Sequence, residues 1–350
     1  MKTSKDKIKI GVLKADNIGD AVLASPFFYG LRRHYKNAKI TGILSYAGAQ
    51  VLGGLGVMDN IEVIEPKWLS YKKTSRFSRI LSAFKTIKII NRQNFDILIG
   101  MRHQDRLTAL ILSLSNAKEK IGYNTGGMGL GITGKMPPPE KGVHEARKNM
   151  QLLYKVCGKM YKEKFGFTID RTAEENVKKV LAKGKIKKFI VIHPVSGHSS
   201  KDWGIGNYKI LSKILARRDK IIIAGGKKDA GIMELKGRNI VNLAGMLTIR
   251  ELGVLIKRAG FVIGNDSAAV HIAGVFNVKS LTLFSGAADP KEWVASGKNS
   301  FVMYRKISCS GCGLPECVKK HECMDFDPED VINAVKNIRT GKQKKRFINL

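Results

Sequence analysis

Short apolar runs alternate along this chain with longer segments in which apolar residues recur every third or fourth position. Ile8–Leu13, Ile40–Leu44, Ile61–Ile64 and Phe95–Ile99 have the β-branched content and the polar or glycine borders of strands. Between them, Gly19–Tyr35 and Gln104–Leu114 have helical spacing. The rhythm restarts at Phe189–Ile192, Ile221–Ala224, Ile240–Leu243, Phe261–Ile263 and Ser280–Phe284, with helices expected over 207–217, 227–237, 248–258 and 267–275. Strands separated by helices favour parallel sheets covered on both faces. The pattern therefore predicts an α/β protein of two units rather than one long sheet.

The boundary is expected between about 155 and 186, giving domains over 1–165 and 166–350. Residues 123–143 hold so many Gly and Pro that they read as a loop, followed by helices at His144–Val156 and Glu174–Ala182. No internal repeat of 20–50 residues is visible.

Length and composition sharpen this picture. The 350 residues are enough for two cores, and 43% hydrophobic with 26% charged residues excludes wholesale disorder. No apolar run approaches the ~20 residues of a membrane span. The run Ile8–Leu13 is too short for a signal peptide, and five cysteines do not make a disulfide-dense chain, so a cytoplasmic location is expected. Charge is the unusual feature: 62 Lys+Arg against 29 Asp+Glu give +33. Such a field attracts phosphate-bearing partners, whether nucleic acid, an anionic lipid surface or a nucleotide substrate. Lysine-rich compositional bias is the plain alternative.

Candidate chemistry sits where strands end. After Ile8–Leu13 comes Lys14-Ala-Asp-Asn-Ile-Gly19-Asp20, in the loop that lies at the ligand crevice of an open α/β sheet. Gly19 lets backbone approach a ligand, while Asp20 in the first helical turn also complements the helix dipole. After Phe189–Ile192 comes His193-Pro-Val-Ser196-Gly-His-Ser-Ser-Lys201-Asp-Trp203, whose hydroxyls, glycine and lysine suit phosphate oxygens or simply make a polar surface loop. After Phe261–Ile263 comes Gly264-Asn-Asp266-Ser267-Ala-Ala-Val-His271. Its Asn, Asp and Ser are natural N-caps, and His271 follows Ser267 by one turn, so both are expected to face one ligand.

Other features carry less. Gly129-x-Gly131-x-x-Gly134 matches a dinucleotide fingerprint only as a string, because Pro-Pro-Pro follows where the helix should open. Gly134-Lys135 lacks the Ser or Thr of a phosphate-binding loop, since Met136 follows. Cys309, Cys312, Cys317 and Cys323, with His321 among them, could ligate zinc, form a thiol-rich loop or hold a redox-labile pair. Cys157 reads as a small buried hydrophobe. Residues 67–92 carry Lys67, Lys72, Lys73, Arg76, Arg79, Lys85, Lys88 and Arg92 without an acid. Phe77, Ile80, Leu81, Phe84 and Ile87 fall at helical spacing among them, as in a membrane-surface helix or a core-facing helix. The strand that follows favours core packing of the apolar stripe, leaving the cations for a partner.

Together these pieces resemble glycosyltransferase family 9, the ADP-heptose:lipopolysaccharide heptosyltransferases. The matching segments run in order: Lys14-x-Asp-x-Ile-Gly-Asp20, Phe95-Asp-Ile-Leu-Ile-Gly, Ile121-Gly-Tyr and His144-Glu-Ala-Arg-Lys-Asn-Met-Gln-Leu-Leu153. His193-Pro, Ser199-Ser-Lys-Asp-Trp203, Asn242-Leu-Ala-Gly, Gly264-Asn-Asp-Ser, His271, Ala288-Asp-Pro and Trp293 continue the series, and Glu322-Cys-Met ends a Cys-rich stretch similar to that of many members. The resemblance covers roughly residues 8 to 338. It implies a GT-B fold of two Rossmann-like domains facing across a cleft, the acceptor mainly on the first and the nucleotide sugar mainly on the second.

The resemblance further implies an inverting transfer that needs no obligatory divalent metal and no cofactor. In it Asp20 is the general base for the acceptor hydroxyl, and Lys201 neutralises the departing diphosphate. Ser196, Asp266, Ser267 and His271 match donor-site positions, and Lys14 and Gly19 match the acceptor side. Asp229, after Gly225-Gly-Lys-Lys, stands where members hold the nucleoside ribose, although two lysines precede it. Lys14 replaces the Arg of many members, which keeps charge and loses bidentate geometry. The motif leaves the sugar open, heptose being the family's commonest.

The implied partners are a nucleotide sugar such as ADP-heptose, a lipid-linked core oligosaccharide and the anionic inner face of the cytoplasmic membrane, with salt-sensitive peripheral association. The tail cations Arg339, Lys342, Lys344, Lys345 and Arg346 add to that expectation. A non-enzymatic nucleic-acid-binding protein is the competing reading, but aromatics are only 7% and no stacking set is visible. A Rossmann oxidoreductase would need a strand-linked Gly-x-Gly-x-x-Gly.

Overall fold

The computed structural model describes residues 7–69, 74–226 and 231–350. It divides into two compact units, one ending at Thr168 and one starting at Ile169.

The first unit follows the order β1 (Lys9–Lys14), α1 (Ile18–His34), β2 (Lys39–Ser45), α2 (Tyr46–Leu52), β3 (Asn60–Ile64), α3 (Arg76–Gln93), β4 (Ile97–Gly100), α4 (Arg106–Leu114), β5 (Glu119–Tyr123), β6 (Gly134–Met136) and α5 (Glu145–Cys157). Among the described residues its six strands are all parallel, in the order β3-β2-β1-β4-β5-β6. The chain starts in the middle, winds to one edge and then crosses to fill the other half. β1 and β4 thus lie side by side at the point where the winding reverses, with Leu13 opposite Gly100 at their carboxyl ends.

The second unit follows α6 (Arg171–Lys183), β7 (Ile190–His193), α7 (Ile205–Leu215), β8 (Ile221–Ile223), β9 (Ile240–Asn242), α8 (Ile249–Arg258), β10 (Phe261–Asn265), α9 (Ala268–Val275), β11 (Ser280–Phe284), α10 (Pro290–Trp293), β12 (Ser300–Tyr304), α11 (Pro328–Arg339) and β13 (Phe347–Asn349). Its seven described strands are parallel in the order β13-β12-β11-β10-β7-β8-β9, so winding reverses between β7 and β10. Gly264 of β10 lies opposite His193 of β7, and a Cβ there would come within 2.6 Å of the His193 carbonyl oxygen. Glycine lets these two strand ends close up.

Local sequence explains how the elements hold. Pro26 inside α1 cannot donate to the Val22 carbonyl, and the Ser25 hydroxyl donates to that oxygen instead at 2.6 Å. α1 is apolar almost all round, with Ala21, Val22, Leu23, Phe27, Phe28 and Leu31 buried, because α2 and α5 flank it. α8 begins with a reciprocal capping box between Thr248 and Glu251, and its core face is Val254, Leu255 and Ile256. The strand residues themselves are near-continuously buried, as expected of sheets covered on both sides.

Several expectations change. The helix expected over 227–237 is a short 3-10 turn at Ile232–Glu234, with 227–230 outside the described residues. The loop 123–143 contains a 3-10 turn and the edge strand β6. The C-terminal tail is also more structured than its charge suggested. Arg339 pairs with both carboxylate oxygens of Asp219, at 2.7 and 2.8 Å, and Arg346 donates to the Ser300 and Ala295 carbonyls. Arg346 thereby ties β13 to the start of β12, and Arg339 ties the end of α11 to the segment before β8, which leaves Lys342, Lys344 and Lys345 as the tail's other surface charges. No helix among the described residues is long and apolar enough to cross a membrane.

Candidate active site

At the β1/β4 reversal the chain concentrates charge in a small space. Lys14, the last residue of β1, is buried, and its Nζ lies 2.9 Å from an Asp16 carboxylate oxygen. Arg102, two residues past β4, pairs with the other oxygen of Asp16. Ser45 donates to the Asp16 carbonyl at 2.6 Å and so ties the loop to the end of β2. Burial pushes the Lys14 ammonium down from its ordinary pKa, and the Arg102 charge adds to that, while Asp20 and Glu145 oppose it.

Asp20 stands beside this cluster in the first turn of α1, half-buried. It accepts no hydrogen bond from any described residue. Asn17, at the N-cap of α1, makes no side-chain cap bond either. Behind lies a second buried group: Glu145 at the start of α5 accepts from Lys148 at 2.8 Å and contacts His103 at 3.1 Å. Burial would raise the Glu145 carboxyl, but these two partners hold it at about 2.

The β7/β10 reversal gathers the donor-side candidates. The Lys201 ammonium lies 2.5 Å from one oxygen of Asp266, and His271 Nε2 lies 3.6 Å from the other. Asp266 is buried, and desolvation alone would raise its pKa. Lys201 and His271 outweigh that and keep the carboxyl at about 2. Ser267, at the N-cap of α9, makes no side-chain cap bond; its hydroxyl pairs with His193 Nδ1 at 3.1 Å. The leading amides of α9 are therefore not capped by that side chain, the arrangement that favours an anion at a helix start.

Asn265 also departs from the capping role. Its amide donates to the Pro194 carbonyl at 2.9 Å, and its oxygen accepts from the buried Tyr208 hydroxyl at 2.8 Å. Asn265 thereby holds the 194–203 loop to β10. Ser196 is used within the same loop, its hydroxyl 2.6 Å from the His198 carbonyl and 2.8 Å from an Asp202 carboxylate oxygen. Burial, then the Lys201 charge, lowers the His198 pKa.

Sequence reasoning placed Lys14, Gly19 and Asp20 together, and the structure puts them at one switch point. It likewise gathers Ser196, Lys201, Asp266, Ser267 and His271 at the other. Asp229 lies outside the described residues. His271 does not share an open face with Ser267: it is 3% exposed and sits behind Asp266. Arg102, His103 and the pairing role of Asp16 were missed, because their partners are remote in sequence and show no local spacing signal.

The cysteine-rich loop has a visible structural task. The Ser200 amide and hydroxyl donate to the Pro315 and Leu314 carbonyls at 3.2 and 2.6 Å, and His321 Nε2 lies 2.8 Å from the Ser200 carbonyl. The loop thus grips the 3-10 turn Ser199–Lys201 from which Lys201 projects. All five cysteines are free thiols. Cys323 is buried and its pKa is raised, first by desolvation and then by the charges of the neighbouring thiols. Among the described residues no group of three or more His, Cys, Asp or Glu is arranged to hold a metal ion. Cys157 is half-buried, with burial pushing its pKa up to about 12.

Comparison with known proteins bears on the fold and the family. The chain is 28% identical over 296 residues to lipopolysaccharide heptosyltransferase 3 of Escherichia coli strain K12, covering 79% of this chain and 81% of that one. Its fold matches a family 9 glycosyl transferase from Veillonella parvula with a TM-score of 0.77 at 17% identity, over 97% of this chain and 99% of the other. It also matches the E. coli ADP-heptose LPS heptosyltransferase II, with a TM-score of 0.73 at 15% identity over 96% and 100% of the two chains. The fold of two Rossmann-like α/β units is therefore that of the GT-B heptosyltransferases. The sequence model of glycosyltransferase family 9 (heptosyltransferase) matches residues 83–322, from α3 through the Cys-rich loop, and the chain belongs to that family.

Proposed function

We propose that this glycosyltransferase moves heptose from ADP-heptose to a lipopolysaccharide core acceptor with inversion at the anomeric carbon. The observation that carries the reading is that each unit has its own, differently equipped switch point. One offers a half-buried carboxylate, Asp20, without a hydrogen-bond partner among the described residues; the other offers Lys201 beside the uncapped start of α9. The relatives' names, heptosyltransferases acting on lipopolysaccharide and in one case using ADP-heptose, support the choice of substrates.

In this reading the acceptor hydroxyl attacks the anomeric carbon while Asp20 takes its proton. Inversion needs one such base and no covalent sugar intermediate. Proton transfer by a positioned carboxylate contributes about 10²–10⁴-fold. As the bond to the diphosphate breaks, negative charge grows on its bridging oxygen. The Lys201 ammonium and the α9 amides meet that charge, an interaction stronger in the transition state than before it.

Asp266 holds Lys201 in place, and His271 backs Asp266 from the core side. Ser196 shapes the phosphate loop, and Ser267 sits at the helix start beside it. Asp229 keeps its role as the candidate ribose contact. Lys14 and Gly19 frame the acceptor side, Lys14 through its buried pairing with Asp16. The first domain serves the acceptor and the second the donor, at the cytoplasmic face of the inner membrane where a lipid-linked core is accessible.

The test is transfer. Purified protein is offered a panel of nucleotide sugars with heptose-deficient core acceptor, and products are read by mass spectrometry. A mass gain of one heptose with ADP-heptose supports the reading. Transfer only from another nucleotide sugar overturns the donor assignment.

A further inference from the structure

α3 is amphipathic in an unusual sense: it is apolar on two sides. Ala83, Thr86, Ile87 and Ile90 face the core, as the helical spacing requires. Phe77, Ile80, Leu81 and Phe84 do not. They are 75%, 49%, 43% and 56% exposed. The expectation that this stripe packs into the core is therefore overturned. The four side chains share one face, because positions 77, 80, 81 and 84 are spaced by three and four.

The helix also projects. Ser82 donates to the Glu65 carbonyl at 2.6 Å and accepts from the Lys67 amide at 3.2 Å, so Ser82 is level with the carboxyl end of β3, which stops at Ile64. Residues Arg76–Leu81 precede that anchor. At about 1.5 Å per residue, the helix overhangs the carboxyl edge of the sheet by up to roughly 9 Å. This is the edge that carries Lys14 and Asp20.

The rest of the exposed face is basic. Arg76 flanks the apolar group on one side, and Lys85, Lys88 and Arg92 continue from it toward the C-terminal end. No Asp or Glu occurs between Arg76 and Gln93. A cluster of large apolar side chains ringed by cations selects a surface that is apolar inside and anionic outside. A second copy of this chain fits poorly, since it would present the same cations and a net charge of +33.

We infer that the N-terminal half of α3 forms a membrane-docking wedge, with Phe77, Ile80, Leu81 and Phe84 entering the headgroup–acyl boundary of an anionic bilayer. Lys85, Lys88 and Arg92 then rest on lipid phosphates. This deepens the proposed function by naming the surface that meets the membrane, and it rests on that reading only for why a membrane is the relevant surface. Docking by apolar insertion differs from the purely electrostatic association expected from sequence. High salt should weaken it without abolishing it.

The test uses the full chain and vesicles without glycolipid, so its outcome does not depend on transferase activity. Vesicles of phosphatidylcholine alone, and with about a third phosphatidylglycerol, are sedimented with wild type, Phe77→Ser/Phe84→Ser and Lys85→Gln/Lys88→Gln/Arg92→Gln variants. The wedge predicts preference for anionic vesicles, with part of the binding surviving high salt. The double Phe variant should lose tenfold or more of its partitioning at both salts. The triple cation variant should lose mainly the low-salt portion. In a Phe84→Trp variant, brominated acyl chains should quench the fluorescence of the introduced indole. Wild-type partitioning by the double Phe variant, or no quenching in the Phe84→Trp variant, overturns the inference. So does a wild-type dimer that the double Phe variant dissolves while vesicle binding stays absent. The replaced side chains are exposed, and unchanged thermal melts confirm that the variants fold.

Discussion

Lys201 and Asp266 form the tightest charged contact at the β7/β10 switch point, with Nζ 2.5 Å from the carboxylate oxygen and the Asp266 side chain only 5% exposed. The two residues are separated by 65 positions, and their meeting depends on β7 and β10 being neighbours. The pair therefore couples sheet topology to the group assigned to the leaving diphosphate.

Removing one partner leaves the other buried and uncompensated. Lys201→Met should cost about 3 kcal/mol of stability. Adding Asp266→Asn should recover much of that, because no charge then remains buried alone. Transfer should stay depressed by about 10²-fold or more in both variants, since the ammonium is missing from each. Melting curves and turnover of the single and double variants check this; recovery of turnover in the double variant would remove Lys201 from its role.

Acid should unfold the protein through its paired carboxylates. Glu145 and Asp266 are both held at about 2, against ordinary values of 4.5 and 3.8. Each therefore adds stability that is fully present above its ordinary value and is lost as pH falls toward 2. The loss is roughly 2–3 kcal/mol per group, larger for Glu145. Chemical denaturation at stepped pH should show stability falling between about pH 5 and pH 2, and Glu145→Gln should flatten part of that slope.

The grip of the Cys-rich loop on Ser200 should matter to donor binding. His321→Ala removes the contact between the imidazole and the Ser200 carbonyl. Donor KM should rise several-fold with acceptor KM unchanged, because the loosened turn carries Lys201. Equal effects on both substrates would show a general loss of structure instead.

Much of the fold was legible because buried parallel strands are continuous apolar runs: nine strands fall within a residue or two of their expected places. What was missed has physical causes. β5 reads Glu-Lys-Ile-Gly-Tyr and β6 only Gly-Lys-Met, too polar or too short to stand out beside an edge. β13 hid inside a basic tail, since Phe-Ile-Asn is too short a run to stand out after its cations. α3 shows a sharper limit. Helical spacing gives the same signal for Ile87, which is buried, and Phe84, which is exposed, so spacing left both readings open and the strand that follows tipped the whole stripe to the core.

The site was legible as strand-end motifs, and the partnerships inside it were not. Asp16 stood in the quoted Lys14–Asp20 motif, yet its role depends on Arg102, which is 86 positions away. Ser267 looked like a cap, and the structure turns its hydroxyl to His193 instead. Residue type suggests what a side chain is able to bond, and topology decides which bond is made.

The proposed function turns on Asp20 as the base of an ADP-heptose-dependent transfer. Its most direct test is the single-turnover rate of Asp20→Asn against wild type, at saturating ADP-heptose and core acceptor, with donor affinity measured alongside. With Asp20 as the base, the variant rate falls by about 10²–10⁴-fold and donor affinity stays nearly unchanged. A variant rate within a few-fold of wild type would contradict it.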